Sequence, residues 1–116
     1  MIEERRRYSI HAAVFAALAN PTRHELMHRL CDAPRTPSEL ADLLQVSRSN
    51  VSQHLAILQR EGLARRKRED GHVRWEVVNP RLREACELID EVLGPELALR
   101  ASALASQPAP CCLKGL

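Results

Sequence analysis

The chain has 116 residues, 45% apolar and 28% charged, with a formal net charge of +2, which fits one small globular domain and leaves no room for two. Its three aromatic residues, Tyr8, Phe15 and Trp75, are too few for a base-stacking platform of the kind that binds single-stranded nucleic acid, so a core must come from Leu, Ala and Val. The longest apolar run, Ala12 to Ala19, is far shorter than the ~20 residues a membrane helix needs, and Met1 to Arg7 lacks the basic-then-apolar order of a secretory signal, so the expectation is a cytoplasmic protein, off the membrane, with reduced thiols.

In chain order, Ile10, Val14, Ala17 and Leu18 recur at helical spacing and predict a first helix from about Tyr8 to Ala19. Asn20-Pro21 supplies an N-cap and a Pro at the first helical position for a second helix, with Leu26, Met27 and Leu30 as its buried stripe and a stop near Cys31 to Pro34. Thr36-Pro37-Ser38-Glu39 has the form of a capping box and opens a short third helix whose apolar face is Leu40, Leu43 and Leu44. Ser47 caps a fourth helix in which Val51, Leu55 and Leu58 turn inward while Arg48, Ser49, Ser52, Gln53 and Gln59 mostly point elsewhere, and Gly62 ends it.

The period then changes. Leu63 to Arg68 and Val73 to Val78 flank Glu69-Asp70-Gly71-His72, a β-hairpin turning at Asp-Gly. Asn79-Pro80 starts a fifth helix with the stripe Leu82, Ala85, Cys86, Ile89, Val92 and Leu93, broken at Gly94-Pro95. The expected organisation is a domain over residues 1–94, a short helix over 95–105 and a flexible Cys-containing tail over 106–116.

Charge is unevenly spread along this order: residues 47–75 hold seven Arg and Lys against three acids, and the remainder is near neutral or acidic. Helix, turn, helix and basic hairpin in succession make a winged helix-turn-helix, a fold that is mainly α with a small β-hairpin and suits duplex DNA. Arg48, Ser49, Asn50, Ser52 and Gln53 offer the donors and acceptors that read base edges in a major groove. Arg65, Arg66, Lys67, Arg68, His72 and Arg74 are placed to meet phosphates or an adjacent minor groove. There is no Cys-x-x-Cys, no phosphate-binding Gly loop and no catalytic triad, so the sequence does not read as an enzyme.

Four segments together, Ala17 to Arg23, Ser38 to Ala41, Ser47 to Leu58 and Glu61 to Ala64, resemble the ArsR/SmtB winged-helix repressors over about residues 10–93. The resemblance implies a homodimer paired through the first and fifth helices, with the stripe 82–93 as the seam and each fourth helix in one half-site of a palindromic double-stranded operator. It also places His54, in Ser52-Gln53-His54-Leu55, in the DNA-binding helix rather than in a metal site.

Members of that family release DNA when a metal, metalloid or oxidant alters the dimer. The thiol site common on the third helix has no counterpart here, because Ser38 to Leu43 contains no Cys, and the carboxylate–histidine site of the last helix finds no His between residues 79 and 96. What remains is Cys31, Cys86, Cys111 and Cys112, with His11, His24 and His28 as helpers. Thiolates select soft or borderline ions, so the candidate inducers are As(III), Cd, Pb, Cu(I) and Zn, none of them obligatory for folding. Cys111 and Cys112 are the expected pair, with Cys86 or Cys31 as third ligand; His24, His28 and Cys31 share one face of the second helix and form another candidate set. A disulfide-forming redox sensor and a regulator with no metal inducer are the alternatives.

Overall fold

The computed structural model describes residues 2–105, side chains at 97, 98, 101, 104 and 105 excepted. The order is α1 (Ile2–Leu18), α2 (Pro21–Asp32), α3 (Pro37–Leu44), α4 (Arg48–Arg60), β1 (Ala64–Glu69), β2 (His72–Val77) and α5 (Leu82–Ala105). Cys111 and Cys112, with the rest of the expected tail, lie outside the described residues.

The caps sit where the side chains demand them. Asn20 Oδ1 accepts from the backbone N–H of Arg23 at 3.1 Å, Thr36 Oγ1 from that of Glu39 at 3.1 Å and Ser47 Oγ from that of Asn50 at 3.0 Å. Each satisfies a donor that the first helical turn leaves open. α1 starts about two turns earlier than the apolar spacing indicates. Glu3 and Glu4 occupy its first turn, where carboxylates oppose the positive helix end, and Tyr8 Oη donates to Glu4 at 3.2 Å.

α2, α3 and α4 enclose the core. Leu26, Met27 and Leu30 meet Leu40, Ala41 and Leu44 of α3 and Val51, Leu55 and Leu58 of α4, while Trp75 and Val77 close it from the hairpin side. Leu43, expected on the inner face of α3, is exposed, and Ala41 takes the inner position. Gln45 ends α3 in the left-handed region, at φ 57°, and gives the tight corner between α3 and α4. α4 closes through Gly62 at φ 75°, with the N–H of Leu63 reaching back to the Leu58 carbonyl at 2.9 Å.

The hairpin turns at Asp70-Gly71 as expected, and each strand reaches one residue further toward the turn than the sequence spacing indicates. Glu69 pairs with His72, so only Asp70 and Gly71 turn, both at positive φ, which matches the right-handed twist of the strands. The far edge of β2 is also paired. Arg35, between α2 and α3, exchanges backbone hydrogen bonds of 2.9 and 2.7 Å with Trp75, fastening the wing to the helical core.

Asn79 opens the last helix by accepting from the N–H of Arg81 at 3.0 Å. α5 contains a kink at Gly94, whose φ of 45° and ψ of −126° are not helical, so it is two helical segments joined at Gly94-Pro95. Among the described side chains of α5, Leu82 and Cys86 are the apolar ones that pack against the core; Leu88, Ile89 and Val92 are exposed, as are Ile2, Tyr8, Ile10 and Phe15 of α1.

Candidate nucleic-acid interface

The buried stripe of α4 fixes which side chains face outward. With Val51, Leu55 and Leu58 fully buried, the 100° step of the helix leaves Arg48, Ser49, Asn50, Ser52, Gln53, Ala56 and Gln59 on the surface. Ser47 caps the outward-facing first turn, its side chain accepting from the Asn50 N–H.

Strand register sorts the basic hairpin into two faces. Ala64, Arg66 and Arg68 stand opposite Val77, Trp75 and Val73 on the face that turns toward α4, while Arg65, Lys67 and Glu69 stand opposite Glu76, Arg74 and His72 on the other. An open cleft of about 420 Å³ separates this inner face from α4, lined by Ser52, Leu55, Gln59, Arg66, Val73 and Trp75 among others. Gln59 points away from the buried stripe as its spacing predicts; that it also lines the cleft depends on how the wing folds back on α4, which no local pattern encodes.

The two faces also differ in charge pairing. On the outer face Arg65 Nε meets Glu76 at 2.9 Å, Lys67 approaches Glu69 at 4.0 Å and Arg74 approaches Glu39 at 4.0 Å. Among the described cations of α4 and the wing, Arg48, Arg66 and Arg68 have no ion pair and so are open to a polyanion. His72 is exposed beside the turn.

His54 differs from its neighbours on α4. It is half-buried, with Nδ1 3.3 Å from the guanidinium Nη1 of Arg23 in α2. A guanidinium only donates, so Nδ1 is the acceptor and the ring proton sits on Nε2. Burial and then the Arg23 charge hold the imidazole below its ordinary pKa. The ring thus turns inward and fixes α4 against α2, away from the outward face to which Gln53 belongs.

Cys31 and Cys86 are the thiols among the described residues, and both are half-buried. Cys31 Sγ folds back on Met27 Sδ of its own helix at 3.6 Å, and burial pushes its thiol pKa up. Its approach to the histidines does not form the expected set. His24 and His28 are instead met by Cys86 of α5, the three ligand atoms lying within 4.8 Å of one another. The spacing of His24 and His28 was visible in the sequence; their third neighbour, 58 positions further along the chain from His28, required the fold. No described helix is long and apolar enough to cross a membrane.

The chain is similar to known proteins in sequence and fold. The model of the bacterial regulatory protein, arsR family, matches residues 20–66, which span α2, α3, α4 and the start of the wing. The transcriptional regulator CmtR of Mycobacterium tuberculosis is 38% identical over 89 residues, 76% of this chain and 75% of CmtR. The solved structure of CmtR, named as a cadmium metal-sensor, superposes with a TM-score of 0.61 at 35% identity over 71% of this chain and 85% of its own. The transcriptional activator HlyU of Vibrio cholerae is 32% identical over 76% of this chain and 82% of HlyU. The chain belongs to the ArsR family of winged helix-turn-helix proteins, and it is a DNA-binding transcriptional regulator, not an enzyme.

Proposed function

We propose that this regulator is a cytoplasmic homodimeric repressor that holds a palindromic operator through α4 and the wing and releases it when a soft metal or metalloid is bound by cysteine thiolates. The observation that carries the reading is the cleft in which the outward face of α4 meets the unpaired Arg66 on the inner face of the wing. Arg48, Ser49, Asn50, Ser52 and Gln53 read or position on the major groove, and Arg66, Arg68, His72 and Arg74 hold the flanking backbone. His54 acts from behind, as the residue that fixes the angle of α4.

Dimerisation is supported by the exposed apolar residues of α1 and α5: Phe15 is 63% exposed and Val92 84%, a large unpaired apolar surface on the two helices expected to form the seam. The inducer class, As(III), Cd, Pb, Cu(I) or Zn, follows from the cysteine inventory and agrees with the cadmium named for CmtR. Cys111 and Cys112 are the proposed pair, completed by Cys86 or Cys31.

The test is fluorescence anisotropy of the reduced chain on duplex DNA from its own upstream region, titrated in parallel with arsenite, cadmium, lead, copper(I), zinc and peroxide. Release by a metal or arsenite, lost in C111S/C112S while DNA affinity is kept, is the expected result. Release by peroxide alone assigns the thiols to redox sensing. Binding that no agent reverses overturns the inducer and leaves the DNA reading standing.

A further inference from the structure

Away from the DNA-facing side, three ligand-type side chains meet where α5 crosses α2. His24 and His28 are one turn apart on α2, their ring centroids 4.7 Å from each other. Arg83 fixes how α5 arrives: its guanidinium donates to the His28 carbonyl at 3.0 Å and to the Asp32 carboxylate. Three residues on, and so on the same side of the helix, Cys86 comes over the histidines, and one ligand atom from each of the three lies within 4.8 Å of the others. All three side chains are half-buried. Core packing accounts for Cys86 as a small apolar residue; it does not account for two imidazoles converging on its sulfur.

Two imidazoles at i and i+4 with a thiolate are the donors of a borderline ion, and hard ions such as calcium would need a carboxylate cage. A tetrahedral centre with bonds of ~2.0–2.3 Å holds its ligand atoms roughly 3.3–3.8 Å apart, so the trio needs to contract by about an ångström, within the range of side-chain rotation. Burial is the largest cause holding both imidazoles below their ordinary pKa, the direction that favours the neutral, ligating form. The Cys86 thiol is pushed up by burial, then by Asp90, Cys31 and Glu87, so a bound metal takes the place of the Sγ proton, which leaves to solvent. Asp90, one turn beyond Cys86, carries a negative charge that acts on all three groups. The one opposing cation, Arg83, is engaged by Asp32.

We propose that His24, His28 and Cys86 form a binding site for a divalent cation of the zinc, cobalt and cadmium class, completed by water and separate from the tail thiols. A metal here ties α5, with its exposed apolar face, to α2. His24 directly follows Arg23, whose guanidinium contacts His54, so the site adjoins the residue that orients α4. That regulatory consequence rests on the proposed function above; the metal binding does not.

The test is an anaerobic cobalt(II) titration of the full reduced chain carrying C111S/C112S, followed by visible and near-ultraviolet absorption. One equivalent per chain is expected, with intense tetrahedral ligand-field bands and thiolate-to-cobalt charge transfer, all displaced by zinc. In that background C86S removes the charge transfer, H28N weakens cobalt binding at least tenfold, and C31S leaves the spectrum unchanged, each variant first shown by circular dichroism to keep its helices. No cobalt uptake, charge transfer that persists in C86S, or charge transfer lost in C31S instead overturns the site. Cobalt is read without DNA, so failed uptake with DNA binding intact removes this site alone, and normal uptake with no DNA binding removes the regulatory reading alone.

Discussion

Arg23 and His54 join α2 to α4: the guanidinium Nη1 lies 3.3 Å from the imidazole Nδ1, while Nε of the same Arg donates to the Ala17 carbonyl at the end of α1 at 2.5 Å. One side chain therefore holds three helices. Arg23→Met leaves both acceptors without a donor in a half-buried site, and the expected loss is about 1–3 kcal/mol of stability. Thermal unfolding checks this, with a fall of roughly 4–8 °C for each kcal/mol in a domain near this size. An unchanged melting temperature contradicts the anchoring role.

The same pair sets a pH dependence. His54 is held below its ordinary pKa of 6.5, by burial first and by Arg23 second, so the unfolded chain takes up a proton before the folded one. Its contribution to stability is complete above pH 6.5 and is lost as pH falls through the lower folded value. His24 and His28 are shifted in the same direction. Melting temperature is expected to decline on acidification below about neutrality, with a shallower decline in His54→Asn; equal slopes contradict the assignment.

Much of this architecture was legible in the chain. Asn20, Thr36 and Ser47 each cap the helix their side chains announced, and Asp70-Gly71 turns the hairpin, because caps and turns are local physics within a few residues. The start of α1 was less legible, since its early turns carry charge where the expectation looked for an apolar stripe. The interface was half legible: the outward residues of α4 follow from the spacing of Val51, Leu55 and Leu58, but the place of Gln59 in the cleft and the inward turn of His54 depend on elements distant in sequence. So does the meeting of Cys86 with His24 and His28.

Base reading and backbone holding separate by substitution. Gln53→Ala removes an outward amide of α4 and is expected to weaken binding to the upstream duplex by about 1–3 kcal/mol while leaving non-specific DNA nearly unaffected. Competition anisotropy with a scrambled duplex measures the difference. Equal losses on both DNAs contradict the placement of α4 in the groove.

The proposed pairing of α1 and α5 between two copies is testable. Val92 and Phe15 are exposed apolar residues of α5 and α1, so Val92→Glu or Phe15→Glu buries an unpaired charge if those faces pair. Dimer dissociation measured by sedimentation is expected to strengthen on the order of 100-fold, with a parallel loss of DNA affinity. An unaltered dimer in both variants moves the seam elsewhere.

The most direct measurement is the salt dependence of binding to the upstream duplex for the wild-type chain and for Arg66→Ala/Arg68→Ala, the two inner-face cations without ion pairs among the described residues. Affinity is expected to fall steeply as salt rises, and the log–log slope to drop by about 0.9 for each phosphate contact removed. A wild-type affinity indifferent to salt, or a slope unchanged in the double variant, contradicts DNA binding through α4 and the wing.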